Sequence, residues 1–363
     1  MILARALRLA LGMLAAGLVT AQLSVPALAQ TPKRVQLAYG VTGVDPSTAP
    51  WLSAAKTGGF WQEEGLDVQV TGFNGAGPAL QLLANGQVDA VFTGTPDMMR
   101  LREEGMRIIT VANAYDSNHI YPVVLDSSSI RTIQDFRGKR MGIQTMTGSI
   151  ALWTKVLLQA NGLKMEDLST VIPVGTGSPA LHALRSGQID ILTEWHGHYA
   201  LLETQFGLKF RKFDDDPSLG QNSFVQAFFV REETAEKDPQ MVLGLLRGIA
   251  KGIIFARENP EATARGHFEQ QPRTRPTNVP LDEAVQAAGK VIRENVKLSL
   301  KTTADRNWGY ATQAQVERVR DVLLEAGIIK QKLGWEQYYT PRFVKEMNAF
   351  DVDAVIKRAK AAH

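Results

Sequence analysis

From residue 33 onward the chain alternates two kinds of hydrophobic pattern. Short apolar runs, "RVQLAYG" (34–40), "LDVQVTGF" (66–73), "VDAVFTG" (88–94) and "MRIITVANAY" (106–115), read as strands. Between them lie stretches with helical spacing. One carries Trp51, Leu52, Ala55 and Phe60; another covers 78–85, with Pro78 in its first turn and Gly86 just past its end. A third helix follows residue 94, with Thr95 or Asp97 as its cap. This alternation predicts βα units on a mostly parallel sheet.

The pattern then restarts. "KRMGIQTMTG" (139–148) parallels "KRVQLAYGVTG" (33–43) as a strand running into a glycine turn, and Trp153 stands in its helix about where Trp51 stands in the first. "STVIPVGTG" (169–177) parallels "VQVTGFNGAG" (68–77). Then "GPALQLLANGQVD" (77–89) is echoed by "SPALHALRSGQID" (178–190), with Pro, Ala, Leu, Leu, Gly, Gln and Asp all recurring at a constant offset. The repetition covers about sixty residues and only two copies, too few for a solenoid or propeller. It predicts two lobes of one α/β architecture. Each lobe is a mostly parallel sheet flanked by helices, and the two are joined by crossing hinge strands. The expected organisation is lobe I over 30–118 plus 223–363 and lobe II over 119–222, with hinge segments near 117–121 and 219–224.

After about residue 221 the chain reads as a strand, "NSFVQAFFVREE", and then becomes helical. An apolar helix pattern over 241–258 stops at Asn259-Pro260. "QQPRTRPTNVP" (270–280) is a proline-rich loop, and Thr312 caps a helix with Val316, Val319 and Leu323 on one face, closed by Gly327. These helices have no counterpart in the second copy and are expected to pack on lobe I.

The first 29 residues are of another kind. Arg5 and Arg8 precede an apolar stretch over 9–19, and Ala27-Leu28-Ala29 has the small-x-small pattern of a signal-peptidase site. We read 1–29 as a cleaved signal peptide with the mature chain starting at Gln30. An uncleaved anchor is disfavoured because the apolar core is short, and no later segment reads as apolar enough to span a bilayer. Cleavage removes two basic residues and no acidic ones, leaving 38 basic against 37 acidic; the sequence pI of 9.0 belongs partly to the leader. No basic stripe argues for nucleic acid. There is no cysteine in the 363 residues, so neither a disulfide, a lipidated N-terminus, a thiolate nucleophile nor a cysteine-ligated metal is available. Export without an anchor points to the periplasm.

The segments "KTGGFWQEEGLDVQV" (56–70), "ALQLLANGQVDAVFTGTPDM" (79–98), "DFRGKRMGIQTMTGS" (135–149) and "ALRSGQIDILTEW" (183–195) together resemble periplasmic solute-binding proteins of the type II fold. The resemblance is to the sulfonate/nitrate/taurine-type branch, which includes thiamine-pyrimidine binders, and it covers essentially the whole mature chain. It implies two lobes, a ligand held in the cleft and closed over by a hinge, and delivery to the permease of an ABC importer in the inner membrane.

The residues themselves place a ligand in the same region. In open α/β sheets, ligands sit beyond the carboxyl ends of strands, where glycine loops lead into helix N-termini. Four loops qualify: 75–78, 94–97, 145–149 and 175–179. No Lys or Arg occurs in them or over 39–50, and the nearby charges are Asp45, Asp97, Asp116 and Glu194. A doubly charged anion would want an Arg or Lys clamp, so phosphates and dicarboxylates are disfavoured. A monoanion held by amides and hydroxyls, and a neutral or amine-bearing ligand facing Glu194, both stay open. Aromatic residues near the rim (Tyr39, Trp51, Phe73, Tyr115, Trp195, Tyr199, Phe224) suggest a ligand with an apolar or ring-shaped body. The candidate ligand contacts are Tyr39, Thr42, Trp51, Asn74, Gly75, Thr93, Gly94, Thr95, Tyr115, Thr145, Thr147, Gly148, Ser149, Gly177, Ser178, Glu194, Trp195, His196 and Asn222.

"TEWHGHY" (193–199) invites a zinc reading through Glu194, His196 and His198, but histidines two apart share a face only on a strand, and a cleft-lining loop is preferred. "GAGPAL" and "GTGSPAL" lack the third glycine of a dinucleotide fingerprint, and neither a nucleophile elbow nor a P-loop lysine is present. The related fold also includes a pyrimidine-forming enzyme with a cysteine-rich motif, which zero cysteines argue against here. The expectation is a monomeric, non-catalytic receptor for a small organic solute such as a sulfonate, carboxylate or ring-bearing compound, without cofactor or metal. The alternative is an exported enzyme acting on a small heterocycle, with Glu194 or His196 as acid or base.

Overall fold

The computed structural model describes residues 31–115, 117–146, 148–220, 222–297 and 307–362, so the expected leader and Thr147 lie outside the described residues. Two five-stranded sheets organise the rest. The first uses β1 (Lys33–Tyr39), β2 (Leu66–Gly72), β3 (Ala90–Gly94) and β4 (Ile108–Asn113). The second uses β5 (Ile120–Leu125), β6 (Arg140–Ile143), β7 (Thr170–Pro173), β8 (Ile191–Trp195) and β9 (Phe210–Lys212). The last strand, β10 (Gln226–Arg231), returns to the first sheet. The orders are β2-β1-β3-β10-β4 and β7-β6-β8-β5-β9. Within each, four strands run in one direction, and the strand formed just after a crossing, β10 or β5, runs antiparallel to both its neighbours. β3 and β4 are buried at every position, as sheets covered on both faces require.

The crossings run side by side and are tied together. Asn113, at the end of β4, donates from Nδ2 to the carbonyls of Tyr115 (2.8 Å) on the outgoing segment and Ser223 (3.1 Å) on the returning one. Thr95 donates its amide to Val225 (3.0 Å) and its hydroxyl to the Phe224 carbonyl.

The helices follow from local signals. In the βα units they are α1 (Ala76–Ala84), α2 (Thr95–Glu103), α3 (Ser149–Ala160), α4 (Ser178–Arg185) and α5 (His196–Phe206); the later ones are α6 (Pro239–Glu258), α7 (Pro260–Gln270), α8 (Leu281–Val296), α9 (Gln313–Glu325) and α10 (Val352–Ala361). Proline occupies the first turn of α2, α4, α6 and α7, where its missing N–H costs nothing. Thr312 forms a capping box with Gln315 at the start of α9, as expected. The caps proposed for α2 are corrected: its N-cap is Gly94, because Thr95 is bonded to the returning crossing and Asp97 to Ser149. α6 also corrects an expectation, being long and apolar enough by composition to cross a membrane. It is mostly buried, because it packs on 49–52, 54–57 and α10. α6, α7 and α10 do lie on the first sheet's side, whereas α8 also runs along α5 of the second. That approach requires Gly197, where a Cβ would sit 2.4 Å from Asn295 Nδ2; the same amide donates to the Ser47 carbonyl.

The repeated motif is scaffold in both copies. Its aspartates leave the helices and pin the first strand of each unit. Asp89 Oδ2 accepts from the Gln36 amide at 2.8 Å, and Asp190 Oδ2 from the Arg140 amide at 2.9 Å. The same pairs exchange a second bond in the other direction, from Asp89 N to Gln36 O and from Asp190 N to Arg140 O. Both lie at the strand ends opposite the helix N-termini. Asp89→Ala and Asp190→Ala should therefore each lower unfolding free energy in urea by about 1–2 kcal/mol, and leave affinity for any cleft ligand unchanged.

Candidate functional site

At the carboxyl ends of β1, β3, β6 and β8, where the crossings begin and end, the two sheets enclose a cavity of about 500 Å³, part of it open to solvent. Of the candidate contacts, Tyr39, Gly75, Thr93, Gly94, Thr145, Gly148, Ser149 and Trp195 line it. Gly75 and Gly148 sit at φ 108° and 117° as N-caps of α1 and α3, a conformation that suits glycine and brings bare backbone to the cavity wall. Gly40, beside them, is equally constrained, since a Cβ there would lie 2.2 Å from Thr93 Oγ1.

The wall is sealed by contacts across the cleft. A Cβ on Gly94 would fall 1.7 Å from Ser149 Oγ, and that hydroxyl donates to Asp97 Oδ2 at 2.8 Å. Burial raises the pKa of Asp97, which is 4% exposed, with the Ser149 bond opposing the shift. On the other flank Trp195 Nε1 donates to Ser47 Oγ at 3.3 Å, and the Trp195 ring stacks on His198, centroids 4.4 Å apart.

Other candidates stand elsewhere. Trp51 and Tyr115 are core residues packed ring on ring at 4.9 Å, with Trp51 also stacked on Phe92. Thr95 is committed to the returning crossing. Asn222 is buried and donates to the Ser218 carbonyl. Thr42, Asn74 and Ser178 are exposed and, with the half-buried Gly177, lie outside the lining. Gly177 and Ser178 follow β7, an edge strand of the second sheet. His196 Nδ1 meets the Tyr121 hydroxyl at 2.9 Å.

Glu194 and His198 form a buried charge cluster with Asp45. His198 Nδ1 lies 3.5 Å from Glu194 Oε2 and its Nε2 lies 3.6 Å from Asp45 Oδ2, while both Glu194 oxygens lack a hydrogen-bond partner. Burial alone would lower the His198 pKa, but the Glu194 and Asp45 carboxylates outweigh it and raise it; burial raises that of Glu194. His196 and His198 thus serve different partners, because α5 begins at His196 and turns them to different faces.

Two lining residues carry no glycine or loop signature. His119 and Gln226 stand on the outgoing and returning crossings, with His119 Nε2 2.9 Å from Gln226 Oε1. Sequence spacing cannot pair residues 107 apart. Burial pushes the His119 pKa down to about 3, so its imidazole is neutral.

The profile of the NMT1/THI5-like family matches residues 46–263, more than half of the sequence. The chain belongs to that family. A protein of Brucella abortus named as a binding protein is 24% identical over 56% of this chain, and the alignment spans 61% of that relative's length. The 4-amino-5-hydroxymethyl-2-methylpyrimidine phosphate synthase of Legionella pneumophila is 22% identical over 86% of this chain and 92% of its own. The periplasmic aliphatic sulphonate binding protein SsuA of Escherichia coli superposes with a TM-score of 0.60 at 17% identity, covering 85% of this chain and 92% of its own. The fold is therefore the periplasmic binding protein fold.

The Glu194–His198 pair makes stability depend on pH. Both groups hold protons more tightly when folded, so their favourable contribution is present at low pH and lost as pH rises through the raised pKa of His198, above its usual 6.5. From about pH 6 to about pH 9 the wild type should lose stability in urea relative to Glu194→Gln/His198→Asn, whose own profile should be flatter.

Proposed function

We propose that the protein is a periplasmic solute receptor, exported through a cleaved leader. It captures a small organic molecule between two lobes, 30–118 with 223–363 and 119–222, and delivers it to the permease of an ABC importer. The observation that carries this reading is the placement of the cavity: both sheets supply its walls at their strand ends, and the chain crosses twice beside it. A site so placed is opened and shut by rotation about the crossings. The family membership and the SsuA-like fold support it.

The enzymatic alternative is less well supported. Glu194 turns toward His198 instead of lining the cavity, and the Nδ1 of His196 is engaged by Tyr121. The receptor acts as a monomer that binds and releases its solute without a cofactor.

A bound solute should raise the unfolding free energy by about 2.7 kcal/mol at a hundredfold excess over Kd. X-ray scattering should show the protein contract on binding, and the solute should be recovered unchanged. Consumption of the solute, abolished by Glu194→Gln or His196→Ala, would overturn the receptor reading, and unchanged dimensions would overturn the closure.

A further inference from the structure

On the flank of the cleft beside Trp195, a carboxylate of one lobe meets a histidine–carboxylate pair of the other. Asp45 lies on the segment after β1. Its Oδ1 accepts from the Ser47 amide at 2.8 Å, and its Oδ2 faces His198 Nε2 at 3.6 Å. His198, in the first turn of α5, turns its Nδ1 to Oε2 of Glu194 on β8, 3.5 Å away. His198 and Glu194 are buried, and the imidazole stands between the two carboxylates. Trp195 ties this bridge to the cavity: it lines the wall, stacks on His198 and donates to Ser47 Oγ.

The groups packed round the bridge supply no second cation. Burial holds the hydroxyls of Tyr39, Tyr115 and Tyr199 in their protonated form. His267 on α7 feels Asp45, but burial pushes its pKa down to about 4 and keeps it neutral. From α8, Asn295 is uncharged, and Glu294 and Lys297 act on His196. The charges acting on His198 are those of Glu194 and Asp45.

The balance therefore turns on one proton. With His198 protonated, the approach of Asp45 places a cation between two carboxylates. With His198 neutral, the same approach buries two carboxylates with only an uncharged ring between them, a like-charge pair that one imidazole hydrogen bond does not offset. Asp45 already raises the pKa of Glu194 across the bridge, as that repulsion requires.

We infer that closure of the cleft takes up a proton at the Asp45–His198–Glu194 bridge, so that the closed form gains over the open one as pH falls. The inference rests on the lobe closure proposed above and adds its regulation. Parting the lobes removes Asp45 and leaves His198 with Glu194 alone, so the open form binds the proton less tightly. The bridge therefore favours closure fully below the open-form pKa of His198, and ceases to do so as pH rises through the higher closed-form one. A solute that needs the closed cleft is held more tightly in acid.

The test is X-ray scattering of the full mature chain without solute from about pH 6 to about pH 9, with a histidine-ring NMR titration alongside. The wild type should expand as pH rises, its closed-to-open ratio falling by about tenfold per pH unit at the steepest point, where one proton leaves. Asp45→Asn keeps the oxygen that accepts from Ser47 and removes the second charge. It should stay compact throughout, and its His198 ring should titrate at lower pH than in the wild type. His198→Gln leaves the carboxylates opposed and should stay expanded throughout. Asp45→Asn/His198→Gln should be compact again, a rescue that a purely packing role for His198 would not give. Should His198→Gln fold poorly, Asp45→Asn decides alone. Wild-type dimensions independent of pH, or a His198 titration unmoved by Asp45→Asn, overturn the inference. Equal contraction with ethanesulfonate or 2-pyridone at both ends of the pH range overturns it as well, and keeps the receptor reading. Expansion with pH together with chemical conversion of either solute upholds the bridge and removes the receptor reading.

Discussion

The approach of Gly94 to Ser149 is the constraint on which the binding region depends. At that point the first sheet's helix α2 and the second sheet's helix α3 begin within one side chain of each other. No Cβ fits between them. The contact closes one flank of the cavity, buries Asp97, and fixes the direction of the only proton Ser149 has. A seam made by a hydrogen bond to a buried carboxylate is also directional, so the two lobes meet in one register there.

The opposite flank is closed by different chemistry. Trp195, His198, Asp45 and Ser47 join the second lobe to the first through a stacked ring pair, a charge cluster and one indole bond. α8 braces this flank by lying along α5 and reaching Ser47 through Asn295. Between the seams the two crossings are tied by Asn113 and by the His119–Gln226 pair. The structure therefore combines a fixed strap with two polar seams. A lobe rotation would break the seams while leaving the strap intact, the division of labour expected of a hinge closure.

Much of the fold could be read from local pattern. The βα alternation, the twofold repeat, the glycine N-caps of α1, α3 and α4 and the capping box at Thr312 are signals contained within a few residues of where they act. The cavity lining was legible in part, in the glycine loops and in Tyr39, Thr93, Thr145 and Trp195. Gly75, Gly94, Gly148 and Ser149 were found because backbone conformation at a βα turn leaves a mark in sequence. Trp51 and Tyr115 were expected at the rim because they are aromatic, yet both lie in the core, packed against each other. His119 was passed over on a segment read as hinge, and Gln226 within a run read as a strand, where no local signal marks a side chain as cavity-lining.

By itself, then, the sequence determined that there are two copies of one α/β unit, where their helices start, and that the wall of any shared cleft would be poor in cations. Each of these depends on short-range periodicity or on composition. Only the tertiary structure decided that β10 and β5 insert antiparallel and which residues face the cavity. Those facts depend on pairs such as Asp97 with Ser149 and His119 with Gln226, 52 and 107 residues apart. No local rule couples positions so distant, because it is the packing of two whole sheets that brings them within hydrogen-bonding reach.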